Sequence, residues 1–333
     1  MAKNNWQTNL KGDSLAWLLE PDEANPGVRY FALSNLLDRP ETDPEVIQAR
    51  RAVMTSGPVP VILNSQASEG YWSKSGGGYS PKYRGTVWQI LFLAELGADP
   101  TNEQVQRGCE YLLNHSLAAN NAFSVNQRPV PSGALHCLNG NLLSALLHLG
   151  YSHDPRVQAA LDWQVQAITG QGQIDYYPSG TNAPGFACGV NLGQPCGWGA
   201  AKAVKALLAV PPQQRTPVIR HALEIGVEFL LSRDPAVADY PYTERVSASW
   251  FKFGFPLSYW SDVLEIAAVL VELGYGHDTR LSNVLQFILS KQDDQGRWRL
   301  ENTLNGKMWV DIERKGKPSK WITLRVLRVL KGI

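Results

Sequence analysis

Three cysteines and a histidine stand where apolar segments begin. Cys137 follows His136 at the start of one segment, Cys196 precedes another in GQPCGWG, and Cys188 lies on the loop leading into it. Thiolate and imidazole are common zinc ligands, and three or four of them from separate elements can close a tetrahedral shell. Four protein ligands make a structural site, and three leave a position open for chemistry. These residues are not spaced as a CxxC pair, so their convergence depends on the fold. Kept apart, the same cysteines are small buried hydrophobes. Cys109, inside RGCEYLL, reads as core.

A second set is acidic. Asp262 and Glu265 open an apolar segment in YWSDVLE. Desolvated among Tyr259 and Trp260, such carboxyls would have raised pKa values, as a general acid requires. Asp262 equally suits the cap of its own helix. Asp175 and Asp239 fall in loops and read as turn residues. A third set is aromatic: Trp250, Phe253, Tyr259 and Trp260 crowd ahead of the same segment, and Trp88, Trp198, Trp309 and Trp321 hold comparable places in or before others. A ring of π faces at a cavity mouth can hold an apolar chain and stabilise a carbocation, although packing between helices uses such residues too. The glycine-rich Ser75–Ser80 stretch with Lys82 and Arg84 offers amides and cations for a diphosphate. It lacks the P-loop pattern and reads better as an entrance loop. Arg128, Arg245, Lys252 and the lysines and arginines after residue 306 add positive charge, the last group as a solvated surface.

The elements that must position these residues repeat. Apolar segments with a Leu-Gly-type stop run over 85–97, 137–150, 198–211, 261–274 and 322–332, spaced roughly fifty to sixty-five residues apart. They are apolar on nearly all sides, as in AAKAVKALLA, so each predicts a helix buried all round. Partners such as NEQVQRGCEYLLNHSL and DPRVQAALDWQVQAI are amphipathic and predict an outer layer. Asp43, Asp154 and Asp278 are candidate caps. The period predicts stacked helical hairpins that close into an all-α (α/α) toroid of five or six hairpins around a funnel. Residues 1–44 read as a helical extension and 45–333 as one toroid domain.

Composition narrows the rest. The chain has 333 residues, 44% of them hydrophobic, and a net charge of +1. There is no basic stripe for nucleic acid, no apolar signal core and no run long enough to span a membrane. A cytoplasmic protein is the expectation.

Gln66-x-x-x-Gly70-Tyr71-Trp72 and Gln292-x-x-x-Gly296-Arg297-Trp298 match in spacing, and each ends an outer helix. Their expected role is structural: glycine turns the chain, glutamine bonds free backbone groups, and tryptophan packs over the next hairpin. These loops resemble the repeat of the terpenoid cyclase and protein prenyltransferase superfamily, with its prenyltransferase and squalene-oxidase-type repeat. The resemblance implies an α/α toroid over residues 45–333 and an enzyme acting on an apolar, isoprenoid-type substrate. Protein prenyltransferases hold zinc near inner-helix starts, and Cys196 is similar to their cysteine, although Gln194 stands where their Asp would be. Lanthipeptide cyclases resemble the chain in PCGWG and in the reversed pair His136-Cys137, with the two elements in the opposite chain order. The implied site is zinc on His136, Cys137, Cys188 and Cys196, with Cys196, Asp262 and Glu265 as catalytic candidates. The D-x-D-D acid motif of protonating cyclases is absent, which keeps open a non-catalytic toroid that binds a peptide, protein or lipid. Whether a second subunit is needed, as in prenyltransferases, stays open.

Overall fold

The computed structural model describes residues 5–172, 182–240 and 246–333, so Asp175 and Arg245 lie outside the described residues. Three helices lead in: α1 (Ser14–Leu19), α2 (Pro26–Phe31) and α3 (Pro44–Thr55). The chain then alternates through α4 (Pro58–Asn64), α5 (Thr86–Leu96), α6 (Glu103–His115), α7 (His136–His148), α8 (Pro155–Thr169), α9 (Gly197–Leu208), α10 (Pro217–Leu231), α11 (Val263–Leu270), α12 (Ser282–Ser290) and α13 (Lys320–Lys331). From α4 onward the even-numbered helices form an outer layer and the odd-numbered ones an inner ring. The protein is an all-α toroid of five helical hairpins with an N-terminal helical extension.

The sequence pattern explains the layers. In α5 every residue from Thr86 to Leu93 is buried, and α7 is buried from Leu138 to Ala145 without a gap. The outer helix α6 buries only a stripe that includes Val105, Cys109, Leu112 and Leu113. Small residues let inner helices approach closely: a Cβ on Gly140 of α7 would lie 2.3 Å from the carbonyl carbon of Lys202 in α9. Outer helices start as expected, with Asp154 accepting from the Arg156 N–H at 2.8 Å. Asp43 does the same for Glu45 at the start of α3, and Asp278 for Arg280 in a short 3-10 turn before α12.

The two glutamine-tryptophan loops are built alike. Trp72 Nε1 donates to the Ile62 carbonyl and Trp298 Nε1 to the Ile288 carbonyl, both at 2.7 Å. The backbone N–H of Trp72 reaches Thr86 Oγ1 of α5, and that of Trp298 reaches Thr323 Oγ1 of α13. Each tryptophan thus ties the end of an outer helix to the start of the next inner one.

Ring closure falls to the extension. Helix α2 wedges between the first and last inner helices: a Cβ on Gly27 would meet the Leu96 carbonyl oxygen at 2.4 Å and the Trp321 ring at 2.8 Å. Trp321 Nε1 donates to Asn25 Oδ1 at 3.1 Å, and Trp309 Nε1 donates to the Arg84 carbonyl at 3.1 Å. Lys331 at the end of α13 pairs with Asp38 at 2.6 Å.

Candidate functional site

The five inner helices enclose a chamber of about 330 Å³. Its wall takes Leu91 and Glu95 from α5, Asn141 and His148 from α7, Lys205 from α9, Glu265 from α11, and Trp321, Arg325 and Arg328 from α13. The loop ahead of α11 covers one end. There Leu257 N–H donates to Glu95 Oε2 at 3.1 Å, and Asn141 Nδ2 donates to the Ser258 carbonyl at 2.7 Å. Leu257 and Phe255 supply apolar wall from that loop, and Phe255 stacks on Trp321 at 4.2 Å between centroids.

Charges inside the ring are mostly paired. Lys202 lies 2.7 Å from Glu265, and Lys205 reaches Glu265 at 3.4 Å and Glu95 at 3.2 Å. Burial raises the Glu265 pKa, but the two ammonium groups outweigh it and hold the carboxyl down at about 2. Burial also lowers the Lys202 pKa, against the pull of Glu265. Glu265 has two cationic neighbours and Lys202 shares its carboxylate with Lys205, so the carboxylate is the better stabilised partner. The raised pKa expected of a general acid is therefore not found at Glu265, because burial came with lysines.

Asp262 caps α11 through the Glu265 N–H at 2.7 Å. Arg325 donates to both of its oxygens, at 2.8 and 3.0 Å, and the Gly254 N–H adds a bond at 3.1 Å. The cap role expected of Asp262 holds, and its oxygens are all engaged as acceptors.

Two groups face the chamber differently. His148 and Arg328 are accessible to water, yet protein surrounds both. The His148 pKa is lowered, first by burial and then by the nearby Lys205 and Arg328 charges. Its Nδ1 lies 2.6 Å from the Ser144 carbonyl, which only accepts, so Nδ1 carries the proton and Nε2 is left as a base. Arg328 has no carboxylate within 4.0 Å among the described residues. Glu272 is the first acidic group acting on it, and burial pushes its pKa down. The chamber thus offers apolar wall beside paired charges, a guanidinium without a carboxylate within 4.0 Å, the Glu272 carboxylate beyond that distance and a neutral imidazole. Neither His148 nor Arg328 stood out in the sequence.

Of the expected aromatic residues, Trp321 lines the chamber. Trp88 donates to the Tyr79 carbonyl at 2.7 Å and Trp250 to the Pro235 carbonyl at 3.1 Å, both buried between elements. Phe253 meets Phe287 edge-on, with Lys291 Nζ 4.9 Å from its ring. Tyr259 packs against both Trp198 and Trp260, with Lys82 Nζ 4.0 Å from its ring. Trp309 lies beside Arg84. In the glycine-rich loop, the Gly76 N–H donates to Tyr111 Oη and the Gly77 N–H to the Gln127 carbonyl, so these amides are already engaged.

The thiols gather near the start of α9. Cys188 and Cys196 lie near each other, and Cys137 is near both. Among the described residues no three His, Cys, Asp or Glu side chains come together as a metal-holding group. His136 Nδ1 lies 2.9 Å from Gln164 Nε2, and burial pushes the Cys137 thiol up to about 12. His136 thus meets Gln164 of α8, and its Cβ packs with Cys196 around Gly199.

No known family profile matches the sequence, and no curated protein matches it. Among solved structures, the chain is similar to a protein from Actinoplanes at 16% identity, covering 98% of this chain and 99% of that one, with a TM-score of 0.46. It is similar to the type II terpene cyclase MstE from Scytonema at 14% identity, covering 98% of each chain, with a TM-score of 0.48. A complex of that cyclase with geranylgeranyl dihydroxybenzoate matches at 13% identity over 82% of this chain and 94% of that one, with a TM-score of 0.32. Likeness of this degree transfers no residue, ligand or reaction.

Proposed function

We propose that the central chamber receives a small amphipathic anion, an apolar isoprenoid-type body carrying a phosphate or carboxylate head, and that the protein is an enzyme acting on it. One observation carries the reading: the Arg328 guanidinium lines the chamber with no carboxylate within 4.0 Å among the described residues, while Glu95 and Glu265 are taken up by Lys202 and Lys205. A guanidinium fork binds phosphate or carboxylate with two parallel bonds. Chambers of a few hundred Å³ with few convergent polar groups are usual for small ligands. His148 Nε2 is the group suited to take a proton from the bound molecule.

Glu265 and Asp262 hold the ring together in this account and donate no proton. Their ion pairs also favour the second reading, a binding toroid that performs no reaction. The test is a thermal-shift series with geranyl diphosphate, geranylgeranyl diphosphate, the matching alcohols and prenyl carboxylic acids. Stabilisation by the acids and diphosphates, without stabilisation by the alcohols, supports the proposal. Equal response to alcohols, or none to any member, removes it. Turnover of a stabilising ligand, lost in His148→Gln, separates enzyme from binder.

A further inference from the structure

The chamber has a wet end and a dry end. His148 and Arg328, in the last turns of α7 and α13, and Glu272, just past α11, are exposed. Two turns earlier in the same stretches, Asn141, Trp321 and Glu265 are only 7%, 2% and 3% exposed. Phe255 and Leu257, at 4% and 5%, close this dry end from the loop ahead of α11. That loop is pinned on two sides, by the Leu257 N–H on Glu95 and by Asn141 Nδ2 on the Ser258 carbonyl.

Charge divides the same way. At the dry end Glu265 is held by Lys202, Lys205 and Ser261, and Arg325 is spent on Asp262 and the Gly254 carbonyl. The guanidinium without a carboxylate within 4.0 Å, Arg328, stands at the wet end. An acidic head therefore finds its cation at the rim, where it also keeps part of its hydration. The apolar remainder is left to lie inward along Leu91, Leu324, Phe255 and Trp321.

Resting on the reading that Arg328 takes the head, we infer that the ligand enters tail first and that the closed end limits its tail to a geranyl-length chain. Trp321 to Arg328 in α13 and Asn141 to His148 in α7 are each seven residues, and a helical rise of about 1.5 Å per residue makes the depth about 10 Å. An extended carbon chain advances about 1.3 Å per carbon, so about eight main-chain carbons, those of a geranyl chain, reach from head to floor. A farnesyl or geranylgeranyl chain has to fold back or leave its far end in water. Leu257 and Phe255 set the floor. Ala145 and Ala268, midway along α7 and α11, leave the room above it.

The experiment is isothermal titration of the full chain with dimethylallyl, geranyl, farnesyl and geranylgeranyl diphosphates. Affinity should rise about tenfold or more from dimethylallyl to geranyl, as the second prenyl unit is buried, and should not rise again beyond it. Leu257→Ala lowers the floor and should improve farnesyl relative to geranyl by about threefold or more. Ala145→Leu fills the chamber midway and should remove the advantage of geranyl over dimethylallyl. Phe255→Leu and Ala268→Leu repeat the two changes at separate positions, should either first variant fail to fold. Absence of binding by every diphosphate removes the Arg328 reading and this inference with it. Affinity that keeps climbing to geranylgeranyl, or a chain-length order that none of the folded variants shifts, leaves that reading in place and overturns the tail-first limit.

Discussion

Lys202 of α9 and Glu265 of α11 face each other at 2.7 Å with side chains 0% and 4% exposed. Two charges withdrawn from water cost several kcal/mol each, and their attraction returns this only when geometry and further hydrogen bonds are good. Here Ser261 Oγ donates to Glu265 and Lys205 adds a second cation. The pair fixes which faces of the two inner helices meet, as a buried charge tolerates few alternative partners.

Removing one partner should be costly. Glu265→Gln leaves Lys202 buried without its counter-charge and should lower unfolding free energy by about 3–5 kcal/mol. The double variant Lys202→Met/Glu265→Leu should recover most of that loss. Urea denaturation of the three proteins measures the difference. A single variant as stable as wild type would show that the pair is unimportant.

Acid should find the same pair. The folded-state pKa of Glu265 is depressed to about 2, against roughly 4.5 in an unfolded chain. The unfolded state therefore binds the proton first. The contribution, about 3 kcal/mol, is complete above pH of about 4.5 and is lost as pH falls towards 2. Denaturant midpoints recorded across that window should fall in wild type, and less steeply in the Lys202→Met/Glu265→Leu protein.

Asp262 should behave as a structural residue. Asp262→Ala removes the α11 cap and leaves Arg325 without its carboxylate, so a loss of about 3–5 kcal/mol is expected from the stranded charge. Conversely, an Asp262→Asn protein that keeps wild-type stability and loses turnover of a chamber ligand would return Asp262 to the role of acid.

The two tryptophan loops should be energetically equivalent. Trp72→Phe and Trp298→Phe each remove one of the two bonds to the Ile62 or Ile288 carbonyl, the other coming from the Ser65 or Lys291 N–H, and should each cost about 0.5–1.5 kcal/mol. Thermal melts of both variants check this. Loss in only one would mean that the shared geometry hides different roles.

These loops and the inner helices were the readable part of the sequence. Helices α5, α7, α9, α11 and α13 all fall within two residues of the apolar segments at their N-terminal ends, since an all-round apolar face with a glycine stop has few alternatives. The chamber was harder to see. Glu95, Lys202, Lys205, Glu265, Arg325 and Arg328 are charges set inside otherwise apolar inner helices. On a helix buried all round, such charges must face one another or a cavity, and that was the available signal. His148 and Arg328 sit in last turns, where a cation also answers the helix dipole and so draws no notice. The aromatic residues misled for a related reason: inner-helix starts are where the connecting loops fold, and most of those rings seal the hairpins together.

The central claim is that Arg328 holds the acidic head of a ligand in the chamber. Isothermal titration of wild type and Arg328→Met with geranyl diphosphate tests it most directly. The account predicts binding in wild type and a loss of about 2 kcal/mol, roughly thirtyfold, in the variant. Equal affinity for the two proteins, at unchanged stability, would contradict it.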